Sequence, residues 1–265
     1  MAAVSACGRA VECISKNSFL LQGNLHCVGA MAELPNVKAY SANLKPTAIL
    51  DIDHEQVRGL AKRMLQNGLA DLSFLRRSHL HLVRMLSPVY SVTERQRAST
   101  TLEKRRGSCS QRMACLEVLA RAAGIPTRVR AFRVKGSFWY PRFRLVRSFI
   151  PASVLLLWPQ FLLQGAWLDF DELHDSIGNL VVRATCGFTN DGESLFEAVQ
   201  NTPVDFCGKT CGLACAKPEY NLSTFVLADE GLFDSRDEAL RQFGSFEDTW
   251  RGRAFELLFG DRKSS

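Results

Sequence analysis

The sequence predicts an α+β fold, and three observations carry that prediction. Cys109–Ala123 has both ends of a helix written in its residues, and a β-branched run, Thr127–Val134, follows at once. An apolar run from Val154 then turns back at Gln164-Gly165-Ala166 into a second extended segment, Trp167–Phe170. One long helix followed by antiparallel strands is the α+β order rather than an alternating βαβ one. The 265 residues, 46% hydrophobic and 23% charged, suit one domain with appended segments; disordered, collagenous and coiled-coil chains are excluded.

Residues 1–46 read as an N-terminal extension, with scattered cysteines, no sustained apolar period and a second methionine, Met31, opening an ordinary-looking start. A core is expected over 47–200 and a C-terminal segment packed on it over 201–265. His54–Leu65 has Val57, Leu60, Ala61 and Met64 at helical spacing, with Asp51 or Asp53 as its cap. Leu72–Leu86 is a second helix closed by Pro88; His79 and His81, two apart, point to different faces and share no metal site.

In the third helix Ser108 is the N-cap and Gln111, three residues on, completes a capping box; Gly124 and Pro126 end it. Cys109 is then its first residue. Val154–Leu163 contains Pro159, which suggests an edge strand or a bulge. Asp234–Gly244 is helical, capped by Asp234 or Ser235.

A thiol at a helix start is favoured as thiolate by the exposed amides and the helix dipole, and Arg105, Arg106 and Arg112 lie close in sequence. The same amides suit an oxyanion formed beside the sulfur. Buried cysteines that do no chemistry are also common.

Arg106-Gly107-Ser108-Cys109 with Leu119-Ala120-Arg121-Ala122-Ala123-Gly124-Ile125-Pro126-Thr127-Arg128 resembles the nucleophile segment of the transglutaminase-like superfamily. Gly165-Ala166-Trp167 resembles that family's Asp-Gly-x-Trp turn, and Phe188–Phe196 resembles a segment of its actinobacterial-type members. The resemblance covers about residues 50–200. It implies a papain/transglutaminase-like core, a nucleophile-bearing helix packed on an antiparallel sheet, and acyl transfer or amide hydrolysis through a thioester. It further implies an acidic triad member just after Trp167, hence Asp169 or Asp171, which share a face if the strand continues. The family's histidine position falls on Leu156 in Leu156-Leu157-Trp158. His174, the one histidine downstream of Cys109, is the candidate base, with another group or none as the alternatives.

The net charge of +6 is local: residues 101–150 carry twelve basic and two acidic side chains, leaving the remainder at −4. That favours a localised anionic partner, an acyl carrier protein or an acidic peptide, or else a solvated arginine face. Arg105, Arg106, Arg142 and Arg144 are expected at the mouth of the Cys109 pocket, with Trp139 and Trp158 as substrate contacts. The aromatic-basic run Phe138–Arg144 lacks the interleaving of a base-stacking sheet, so nucleic acid is not expected. Cys207, Cys211 and Cys215, with Cys186 upstream, match no common zinc or cluster spacing, and no phosphate-cradling glycine motif occurs; neither metal nor cofactor is expected. No apolar run is long enough for a membrane span, no secretory start is visible, and nine cysteines read as reduced thiols of a cytoplasmic protein.

The expected function is thiol-dependent acyl transfer through Cys109, as an acyltransferase, amidase, hydrolase or cyclase, in a biosynthetic setting with a carrier-bound donor. The rival is a binding or scaffold protein that keeps the fold and has lost the Cys–His pair.

Overall fold

The computed structural model describes residues 40–65, 68–141, 143, 147–176, 179–180, 188, 194–202, 204, 222–260 and 262. All belong to the second of two units, which divide after Leu34. In chain order come helices α1 (Glu55–Met64) and α2 (Leu72–Met85), strand β1 (Ser87–Pro88), helix α3 (Ala98–Lys104), strand β2 (Arg106–Gly107) and helix α4 (Cys109–Ala122). Strands β3 (Thr127–Lys135), β4 (Ser153–Leu163) and β5 (Ala166–Asp169) follow, then helix α5 (Leu195–Ala198), strand β6 (Val226–Phe233) and helices α6 (Arg236–Phe243) and α7 (Trp250–Phe259). No described helix is long and apolar enough to cross a membrane.

Helix α4 forms where its residues predict. Ser108 Oγ accepts the Gln111 amide and Gln111 Oε1 accepts the Ser108 amide at 2.9 Å, while Gly124 leaves the helix at φ +88°. Every residue from Gln111 to Arg121 is buried, the pattern of a helix enclosed on all sides. α1, α2 and α3 pack against it on one side and the sheet on the other. Burying Leu116 or Leu119 in this position contributes about 2–3 kcal/mol each.

The sheet is antiparallel in the order β5-β4-β3-β6. β4 is therefore not an edge strand, contrary to what Pro159 suggested. β5 pairs only with Gln160–Leu163, so opposite Pro159 the outer side of β4 is uncovered and no sheet bond is lost to the missing N–H. The β4–β5 hairpin turns on Gln164 (φ +50°) and Gly165 (φ +80°), a left-handed pair suited to a two-residue turn.

The caps differ from expectation in detail. His54 Nδ1, not Asp51 or Asp53, accepts the Gln56 amide at the start of α1, because Asp51 is engaged by the Ser99 amide and hydroxyl. Ser235 caps α6. The extension expected over 1–46 also ends sooner. Asn43 is buried and its amide donates to the Thr127 carbonyl at 3.2 Å, and Arg121 donates to Lys45 O at 2.7 Å, so residues 40–46 are part of the core.

Candidate active site

Strand β2 pairs in parallel with β1, Ser87 against Arg106 and Pro88 against Gly107, and delivers the chain directly into Ser108 and Cys109. Cys109 sits half-buried in the first turn of α4, with the start of the helix and its amides beside it. It lies in the wall of a cavity of about 560 Å3. Leu156 and Trp139 line the same cavity, as does the turn Phe246–Asp248 with α7 behind it. Gly252 makes that last wall possible: a Cβ there would fall 2.0 Å from the Phe246 carbonyl oxygen, so α7 packs backbone to backbone on the turn.

A carboxylate not singled out in the sequence shares the cavity. Glu94 lines it and accepts the hydroxyl of Ser110, the residue after Cys109. Burial raises its carboxyl above the ordinary range, against the lowering effect of Ser110 and Arg236. Arg236 in turn donates to Ser110 Oγ at 2.9 Å, to the Leu157 carbonyl at 3.2 Å and to the fully buried Glu117 at 2.6 Å. One guanidinium thereby ties α6, α4 and β4 together beside the thiol. Nothing local in Thr93-Glu94-Arg95 announces this. The loop is carried to α4 by Gln111, whose amide donates to Thr93 O at 2.9 Å and Ser91 Oγ at 3.1 Å.

Asp169 and Asp171 do not share a strand face. β5 ends at Asp169, which receives the Gln160 amide, and Asp171 belongs to the 3-10 turn that follows. Asp171 is buried, and its Oδ1 accepts the Trp158 indole N–H at 2.9 Å. Burial pushes its carboxyl up to about 7; the indole hydrogen bond works the other way. Trp158 is a core residue stacked edge-on against Phe170 rather than a cavity contact.

The base role expected of His174 meets a physical obstacle. His174 Nε2 stands 2.8 Å from His79 Nδ1, and His79 Nε2 stands 2.7 Å from the Phe196 carbonyl. The carbonyl can only accept, so His79 is protonated at Nε2 and its Nδ1 accepts from His174 Nε2–H. His174 is thus spent on a buried partner, and no described histidine lines the cavity. His81 stands apart from this pair, on another part of α2.

Five arginines of the basic stretch are engaged within the fold. Arg112 is buried and paired with Glu197 at 2.5 Å; Arg130 pairs with Asp229 and Arg133 with Glu230. Arg121 donates to the Thr127 and Asp234 carbonyls, and Arg128 covers the Trp167 ring at 4.0 Å. The three carboxylates, Glu197, Asp229 and Glu230, all lie outside residues 101–150 and offset three of the stretch's positive charges. Arg105 and Arg106 are exposed and do not form the cavity wall. Arg142, Arg144, Cys186, Cys207, Cys211, Cys215 and residues 189–193 lie outside the described residues. Among the described residues no cluster of metal-ligating side chains occurs.

No curated protein matches this chain. Among solved structures, one from Cytophaga hutchinsonii, provisionally assigned as a cysteine protease, is similar at 18% identity and a TM-score of 0.38. The similarity covers 54% of this chain and 44% of that one, so this chain spans less than half the length of that structure. Residues 58–172 match the model of the Transglutaminase-like superfamily. That interval runs from α1 to the turn holding Asp171 and includes Cys109 on a helix packed against an antiparallel sheet. Residues 58–172 are therefore similar to the transglutaminase-like superfamily, and they fold as a helix packed on an antiparallel sheet, an α+β arrangement.

Proposed function

We propose that the protein is a thiol acyl-transfer enzyme in which Cys109 attacks a carbonyl held in the adjoining cavity. The observation that carries this reading is the half-buried thiol at the capped start of α4, opening into a cavity large enough for a small-molecule substrate. The helix start favours the thiolate and the oxyanion that follows attack. Glu94 takes the proton, its carboxyl lining the same cavity beside the first turn of α4 and hydrogen-bonded to the residue after Cys109. The acyl group then passes from the thioester to water or to an amine.

The donor proposed is anionic and carrier-bound, met by the exposed Lys104-Arg105-Arg106 run that precedes Cys109, in the cytoplasm and in a biosynthetic setting. Incubation with a short acyl thioester followed by peptide mapping tests the reading. Acylation at Cys109, abolished in Cys109→Ala, is the expected result; an unmodified Cys109 would refute it.

One feature favours a second reading, a binding protein that has lost its chemistry. Leu156, the position the family resemblance matches to a histidine, lines the cavity. A Cys109 that alkylates no faster than a model thiol at neutral pH would select that reading.

A further inference from the structure

The cavity is apolar beyond what a thiol enzyme needs. Phe149, Ile150, Val154, Leu155, Phe246 and Phe255 make up much of its wall. Its charged members are already committed to partners within the protein. Glu94 holds the Ser110 hydroxyl, Arg133 is paired with Glu230 at 2.7 Å, and Asp248 is paired with Arg95 at 2.7 Å. Several of its hydroxyls are engaged as well: Ser91 donates to Glu256 at 2.9 Å, Thr249 to the Phe246 carbonyl at 2.8 Å, and Ser110 to Glu94. An occupant that brought its own hydrogen-bonding groups would leave them unanswered at a cost. An occupant with an extended hydrocarbon part would displace water from aromatic and aliphatic surface and gain by it.

We infer that the Cys109 cavity is built for a medium-chain or longer saturated acyl group whose carbonyl end reaches the thiol. The inference deepens the acyl-transfer reading and rests on it for the chemical step alone. In that step Cys109 Sγ forms a bond to the acyl carbon of a thioester. The donor's carbon–sulfur bond breaks, and the donor thiol leaves carrying the proton lost by Cys109. The chain lies along the wall formed by Phe149 to Leu155 and under the turn at Phe246. Transglutaminase-like chemistry on a polar amide side chain would need none of this apolar volume.

Binding and chemistry can be read apart. Straight-chain fatty acids from hexanoate to hexadecanoate, titrated into the Cys109→Ala protein against a displaceable apolar fluorophore, report the cavity alone. Affinity should rise about fourfold per methylene, the factor equivalent to about 0.8 kcal/mol, until the cavity is full. Val154→Trp should stop that rise at a shorter chain; Leu155→Phe is a milder filling that guards against misfolding, with melting curves showing that each variant folds. Affinity indifferent to chain length, or to both fillings in folded protein, overturns the inference. Intact mass of the wild-type protein with octanoyl-coenzyme A then tests the step. Length-dependent binding without acylation would keep the apolar-chain site and end the acyl-transfer reading. Acylation with acetyl- and octanoyl-coenzyme A alike, without length-dependent binding, would do the reverse.

Discussion

Asp171 Oδ1 accepts the indole N–H of Trp158 at 2.9 Å, two residues along β4 from Leu156. Residues two apart on a strand share a face, so Leu156, in the lining of the cavity that holds Cys109, is on the same face of β4 as the residue whose partner is Asp171. A buried carboxyl is in place with an indole, not an imidazole, to hold.

Leu156→His should therefore build a Cys–His pair with a carboxyl behind it. An imidazolium beside a thiolate lowers the thiol's pKa. The expected outcome is alkylation of Cys109 by iodoacetamide at pH 6.5 about tenfold faster than in the native protein, scored by peptide mapping. Cys115 provides an internal control, since burial pushes its thiol up and it should stay unlabelled in both. Adding Asp171→Asn should remove part of the gain. An unchanged rate in a folded Leu156→His variant would mean that position 156 does not face the thiol.

The raised Asp171 carboxyl sets a pH dependence of stability. Its ordinary value of 3.8 becomes about 7 in the fold, so between those values the folded chain binds the extra proton and the unfolded chain does not. Stability from this group is present below pH 4 and is lost as pH rises through 7. Asp171→Asn keeps an oxygen for the Trp158 indole and has no charge to bury. It should raise the denaturation midpoint at pH 8, by an amount on the order of a few kcal/mol at most, and change it little at pH 4.5. A variant destabilised equally at both values would show that the carboxyl is ionised in the fold.

His79 works in the opposite sense. Burial takes it from 6.5 down to about 3, with the Phe196 carbonyl opposing. Between those values the unfolded chain binds the proton, so this contribution is present above pH 6.5 and is lost as pH falls toward 3. The hydrogen-bond chain explains the reluctance: protonating Nδ1 would set one donor against another at His174 Nε2. Because Asp171 pulls the other way over the same range, the measurement belongs in the Asp171→Asn background. There, His79→Gln should flatten the loss of stability between pH 6.5 and 4. An unaltered slope would assign acid sensitivity to other groups.

What could be read from the residues follows how local the determining forces are. Helix α4, its capping box, its stop at Gly124 and the thiol at its start are set by neighbours within four residues, and they form as the sequence implies. The Gln164-Gly165 hairpin is local in the same way. The sheet order is not local. β6 joins beside β3 from about a hundred residues away, with a register shift between Ala131 and Phe132, and no short-range pattern in Val226–Phe233 selects that partner. The site divides along the same line. Cys109 was legible because its environment is its own helix, whereas Glu94 reaches the cavity through Ser110 and Gln111, sixteen and seventeen residues downstream of it. His174 was misread because its partner, His79, lies on α2 and no sequence spacing reveals the contact. Three arginines of the basic stretch, Arg112, Arg130 and Arg133, face carboxylates far along the chain, Glu197, Asp229 and Glu230, contacts that no local spacing reveals.

Glu94 offers the sharpest separation between an enzyme and a binding protein. If its carboxyl takes the Cys109 proton, Glu94→Gln should lower turnover of an acyl thioester by about 10²-fold or more. Alkylation of Cys109 should not fall with it, because removing a nearby negative charge eases formation of the thiolate. The substitution is nearly isosteric and keeps an oxygen for the Ser110 hydroxyl, so the link from Arg236 through Ser110 survives and the melting temperature should hold. Turnover and alkylation falling together would mean that Glu94 only positions the first turn of α4. Turnover unchanged while alkylation rises would mean that the carboxylate is an electrostatic neighbour and the proton leaves by another route. Only loss of turnover with alkylation preserved or increased, in protein of unchanged stability, gives Glu94 the role of base.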